Sequence, residues 1–190
     1  MVVLPSESRI MNIRILLAFA SVLTLTASVP ALAGSADGQR DFDWELGTWH
    51  TDVQVLAEPL SETEDQWLRF QGTSVVRPLL DRRANVVELK VAGTTGRIEG
   101  LNFRLYEPQA QRWSLTFANI RNGLLTPSVY GGFRDGAGEF YGDDQLDGRP
   151  IKVRFLIRRQ GADRATFEQA FSADGGTSWE TNWIAVDRRR

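Results

Sequence analysis

The residue types that carry most protein chemistry are scarce in this chain. It has one histidine, His50, and no cysteine among 190 residues. His50 directly follows Trp49 on an alternating segment, so the two side chains point to opposite faces. With Trp49 inside, His50 faces out, where it cannot serve as the ligand of an enclosed haem. A zinc or copper site would have to be built from carboxylates alone, which those metals rarely accept, so neither a metal nor a cofactor is expected. Ser-His-Asp catalysis would also fall to His50, and no G-x-S-x-G elbow is present. The acid–base groups that remain are Glu168, out of phase with Phe167 and Phe171, and Asp143, close to Tyr141. Each reads either as a solvated outer-face carboxylate or, inside a cavity, as a catalytic one.

Candidate ligand contacts carry the same double reading. Asn119, Arg121 and Asn122 cluster with Gly123 at a strand end, as a polar turn or as the mouth of a pocket. Tyr130 and Tyr141 flank the Asp135-Gly136 turn among Gly131, Gly132 and Gly142, small residues that make room for a ligand or let strands bend. Arg154, Glu168 and Asn119 are the polar groups expected to orient a bound molecule.

The elements that must hold these residues are strands. Alternating segments of seven to twelve residues, separated by turn chemistry, recur about ten times. They run Thr48 to Leu56, Gln66 to Arg77, Asn85 to Ala92, Arg97 to Tyr106, Trp113 to Ile120, Ser128 to Arg134, Glu139 to Leu146, Ile151 to Arg159, Ala165 to Ser172 and Trp179 to Asp187. Ile151, Val153, Phe155 and Ile157 on one face, against Lys152, Arg154 and Arg158 on the other, show the pattern most clearly. Asp135-Gly136 and Asp147-Gly148 are hairpin turns. Asp41 to Leu46 is short and aromatic enough for one helical turn. The fold class predicted is all-β: a single antiparallel up-and-down β-barrel of about ten strands with a short N-terminal helical turn. A sandwich is the alternative, and closure into a barrel removes the edges a sandwich must protect.

The first 33 residues differ from the rest. Arg14, the apolar run Ile15 to Leu25 and the small-x-small triplet Ala31-Leu32-Ala33 read as a signal peptide cleaved after Ala33. Pro5 and Glu7 do not suit such a leader, which points to translation starting at Met11. The apolar run is shorter than the ~20 residues a spanning helix needs, so no stable membrane insertion is expected, and the periplasm or the extracellular space is. Residues 34–40 read as a flexible mature N-terminus and 41–190 as the barrel domain. The net charge is −2 with signs mixed, leaving no footprint for nucleic acid. Nothing in the residues indicates an oligomeric state.

Gly47-Thr48-Trp49, after the aromatic turn, resembles the G-x-W signature of lipocalins and related calycin barrels. That resemblance implies that Trp49 plugs the closed end of the barrel, covered by an arginine of the last strand, Arg189 first and Arg188 as the alternative. Gly138–Asp144 (GEFYGDD), Phe167–Gly176 (FEQAFSADGG) and Trp179–Trp183 (WETNW) resemble a family of secreted bacterial lipocalin-like proteins of unknown function. Thr177-Ser178 departs from that family's commoner Lys-Thr. Ser172, Asp174, Gly176 and Trp179 also fit the S-x-D-x-G-x-x-W Asp-box of sialidase propellers, but a single copy in a chain this short cannot build blades. It reads as a hairpin in which Asp174 binds backbone amides. The functional expectation is an exported barrel holding a small apolar ligand. The alternatives are a small barrel enzyme acting on a lipid or saccharide through Glu168 or Asp143, and an interaction module without a pocket.

Overall fold

The computed structural model describes residues 38–190; the leader assigned to residues 1–33 and the start at Met11 lie outside the described residues. Eleven strands follow a 3-10 turn at Asp43–Glu45. They are β1 (Gly47–Leu56), β2 (Trp67–Leu79), β3 (Ala84–Gly93), β4 (Gly96–Glu107), β5 (Arg112–Asn119), β6 (Leu124–Leu125), β7 (Val129–Arg134), β8 (Ala137–Leu146), β9 (Arg149–Arg159), β10 (Arg164–Ser172) and β11 (Glu180–Arg189). Ten of them close an antiparallel barrel, and β6 is an additional short strand paired to the end of β5.

Closure comes from two pairings. β1 zips onto β11, with Val53 opposite Ala185 and Val55 opposite Trp183. β4 pairs β5 along Gly100–Glu107, which joins the two halves of the meander. Hairpin turns set the remaining neighbours. At Asp135-Gly136 and Asp147-Gly148 both residues have positive φ, 52° and 80° at the first and 51° and 77° at the second, the backbone twist a two-residue hairpin requires. The alternation then assigns faces. Ile151, Val153, Phe155 and Ile157 are all buried, and they pack with Phe42, Trp113, Leu115, Val129 and Phe140 into the largest part of the core.

Two features escaped the sequence pattern. β5 divides its outer edge: Trp113–Leu115 pairs β7, whereas Ala118 and Asn119 pair β6. The segment between contains Pro127, which has no N–H to offer a ladder; beside it the Thr126 amide donates to the Phe117 carbonyl at 2.8 Å and the hydroxyls of Thr116 and Ser128 meet. A second 3-10 turn, Leu80–Arg82, links β2 to β3.

One end of the barrel is shut by the N-terminal segment. Phe42 and Trp49 are each 1% exposed, and Phe42 meets Trp113 and Phe133 edge-to-face at 4.9 Å. The Gly38 carbonyl accepts hydrogen bonds from the Trp113 indole at 2.9 Å and from the Asp41 amide. Arg189 lies over the Trp49 ring at 4.1 Å and donates to the carbonyls of Trp44 at 2.6 Å and Leu46 at 3.0 Å. Arg188 is on the outer face, paired with Asp52.

Candidate functional site

Strand alternation sends a series of polar side chains inward together with the apolar ones. Thr51 sits between Trp49 and Val53 on β1, Arg104 between Asn102 and Tyr106 on β4, and Asp187 two residues beyond Ala185 on β11. They meet just above the plugged end and form the floor of an internal cavity of about 330 Å³. Its walls are apolar, including Val53, Val87, Leu89, Phe117, Phe155 and Phe167. Toward the rim Asn119, Thr126, Pro127, Asp143 and Asp144 line it. A second recess of about 650 Å³ adjoins it there, sharing Phe117, Asn119 and Trp183 and adding Arg97, Ile120 and Arg121.

The floor is held by charge pairing. Arg104 presents both terminal nitrogens to Glu45, at 2.5 and 3.1 Å, in a forked pair whose side chains are 7% and 13% exposed. The guanidinium also stacks on Phe42 at 4.3 Å. Such enclosure is tolerable because each charge has its partner. Asp187 faces Thr51 across the closing seam, with the threonine hydroxyl 2.5 Å from Oδ1 and 2.8 Å from the Ser74 hydroxyl. Burial pushes the Asp187 carboxyl up to about 6; Thr51 and Arg104 pull it down, and the negative charges of Glu45 and Asp52 add to the rise. Asn102 lines the same floor with its Oδ1 buried and unpaired.

The residues singled out from sequence are spread over three places. Asn119 lines the cavity and the rim recess, and Arg121 lines the recess. Asp143 lies at the cavity mouth, its side chain 78% exposed and bound to Lys152 at 2.5 Å. Tyr130, Tyr141, Arg154 and Glu168 are on the outer surface. Tyr130 stands opposite Tyr141 in register and is capped by Arg112 at 4.3 Å, Tyr141 meets Trp179 edge-to-face, and Arg154 covers Trp179 at 4.8 Å. Glu168 pairs with Arg158 at 3.3 Å. These four therefore do not join the cavity. Gly47 opens β1 at φ 124°, next to the Arg189 guanidinium. His50 is outward, 3.6 Å from Asp52. Among the described residues, no group of three or more acidic or histidine side chains is placed to hold a metal ion. Asp174 collects the amides of Thr177 and Ser178 and the hydroxyls of Ser172 and Ser178, which hold its carboxyl far below the usual range.

No family model and no curated protein matches the chain. Among solved structures it is similar to the S-type phycobiliprotein lyase CPES from Guillardia theta, at 11% identity and TM-score 0.55, over 78% of this chain and 90% of that one. Weaker likenesses, each covering 80% of this chain, are to EF1p2_mFAP2b bound to DFHBI (11% identity, 99% of that chain, TM-score 0.44) and to a redesigned beta barrel (12% identity, 96% of that chain, TM-score 0.42). The lyase likeness is one of fold: a closed antiparallel barrel.

The floor residues Thr51, Ser74, Asn102, Arg104, Asp187 and Glu45 were missed from sequence, although a signal was there. Except for Glu45, which comes from the 3-10 turn, each is a polar residue in phase with buried apolar neighbours on its own strand. A polar side chain on the core face of an amphipathic strand must be paired or must line a cavity.

Proposed function

We propose that this protein is a non-catalytic binding barrel whose interior takes a small, mainly apolar molecule. The observation that carries the reading is the cavity of about 330 Å³ with apolar walls and a small polar floor. That size falls at the lower end of the roughly 300–1,000 Å³ of ligand pockets, which share the same pairing of apolar lining with a few polar groups. Binding would draw on buried apolar area at about 25 cal/mol per Å². One structure of similar fold is named a phycobiliprotein lyase, which supports a use of such barrels beyond a structural one. The leader-like N-terminus supports action outside the cytoplasm, and the G-x-W and hairpin motifs support kinship with secreted bacterial lipocalin-like proteins. Native mass spectrometry of the protein purified from its own cells tests the binding reading. A retained mass lost on organic extraction is expected; a guest-free protein that also fails to bind any apolar fluorophore ends it.

The enzyme alternative is favoured by one observation only, and at a different residue from those first considered. Asp187 is a cavity carboxylate held near 6, suited to acid–base work near neutral pH, whereas Glu168 and Asp143 are exposed and ion-paired.

A further inference from the structure

Two buried side-chain atoms at the cavity floor lack a hydrogen-bond partner, one an acceptor and one a donor. Asn102 Oδ1 is buried without a hydrogen-bond partner. Arg104, which lines this floor, is already engaged by Glu45 through both terminal nitrogens and covered by Phe42, which leaves its Nε unpaired. Glu45 and Arg104 cancel, so an ionised Asp187 gives the floor one net negative charge.

The hydroxyls behind Asp187 reinforce this. Thr51 has a single proton and two close oxygens, Asp187 Oδ1 and Ser74 Oγ. The geometry has Thr51 as donor toward both, and a carboxylate cannot donate, so an ionised Asp187 takes the Thr51 proton and Ser74, which also lines the cavity, receives none from it.

We propose that the floor is a donor-selective subsite, in which Asp187, backed by Thr51 and Ser74, takes the ammonium, amide N–H or hydroxyl at the buried end of an otherwise apolar small molecule. This rests on the ligand-binding reading above. A guest of the same shape ending in an ether gains no hydrogen bond from the Asp187 carboxylate, and one ending in a carboxylate is repelled by it. Protonation of Asp187 frees the Thr51 proton: the carboxyl donates to Thr51, Thr51 donates to Ser74, and Ser74 turns its own proton toward the cavity. The floor then donates where it had accepted. The charged groups around Asp187 are Glu45 from the 3-10 turn, Arg104 from β4, Asp52 from β1, Arg189 two residues along β11, and Arg159, which lies over Trp44 at 5.8 Å. Asp187 itself titrates at about 6, and its neighbours in the cavity, Thr51, Ser74 and Asn102, carry no charge.

Calorimetric titration with three probes of one body tests this: naphthylmethylamine, naphthylmethanol and methoxynaphthalene, each at about pH 8 and about pH 4.5, on the wild type and on Asp187→Asn. At the higher pH the amine and the alcohol are expected to bind at least about tenfold tighter than the ether, the effect of one hydrogen bond to a charged group. The amine's advantage should fall by about tenfold or more at the lower pH, and likewise in Asp187→Asn. Equal affinity for all three probes in the wild type at both pH values overturns the donor subsite while leaving the binding barrel standing. Should Asp187→Asn not fold, the wild-type pH comparison decides alone. Binding of no probe, in a protein whose native mass spectrum shows no guest, removes both readings.

Discussion

Thr51 and Asp187 face each other across the seam where the first and last strands meet, hydroxyl to carboxylate at 2.5 Å. The contact sits at the floor of the cavity and also at the point where the barrel closes, so its protonation state bears on stability as well as on binding.

The carboxyl of Asp187 is raised in the folded protein to about 6, against roughly 3.9 in an unfolded chain. Between those values the native state holds the proton more tightly, so this group's stabilisation is complete below about pH 4 and is lost as pH rises through about 6. The loss is on the order of 3 kcal/mol. Asp187→Asn should therefore be the more stable protein at about pH 7.5 and should lack the wild type's decline between about pH 4 and 6. Urea unfolding across that range checks both; an unchanged slope in the variant refutes the assignment.

Removing one member of the enclosed Glu45–Arg104 pair strands the other. Arg104→Met alone should cost about 3–5 kcal/mol, and adding Glu45→Gln should restore part of that loss. Chemical denaturation of the two single variants and the double variant gives the coupling directly. Strict additivity would show that the fork contributes nothing.

Arg189 combines a stack on Trp49 with two carbonyl contacts. Arg189→Ala should cost about 1–3 kcal/mol, and Arg189→Lys should recover little of it, since an ammonium cannot span both carbonyls while lying flat on the indole. Thermal unfolding followed by tryptophan fluorescence measures both variants, and a fully rescuing lysine would contradict this geometry.

Adjacent glycines on β7 should respond differently to the same change. A Cβ at Gly131 would run into the Glu139 carbonyl of β8, whereas one at Gly132 meets nothing within 4 Å. Gly131→Ala should destabilise by about 1–3 kcal/mol and Gly132→Ala by much less. Melting temperatures of the two proteins side by side test it.

The strand pattern was readable because the barrel obeys a period of two almost everywhere, from Trp49 on β1 to Asp187 on β11. Register-breaking features were not. The split partnership of β5 depends on where Pro127 falls in three dimensions, and the irregularity at Gln169/Ala170 lets Asn182 accept a hydrogen bond from Gln169 at 2.8 Å without any local sequence sign. Site residues were sought among conspicuous types, aromatics beside glycine and strand-end amides, and that favoured Tyr130, Tyr141 and Arg154 on the outside. The cavity is marked instead by ordinary residues in the apolar phase. Arg104 and Asp187 lie far apart in the chain, and only closure brings them together.

With Phe42, Trp49 and Arg189 stopping one end, the barrel works as a vessel with a single door. A guest held as proposed above would enter head first past Asn119 and depart tail first. Its polar end would lead on the way in and would have to release the floor before the rest could leave, while a tail too long for the inner chamber would come to rest in the recess beside Arg97 and Arg121. Residence time should then depend on the head and entry rate on the tail.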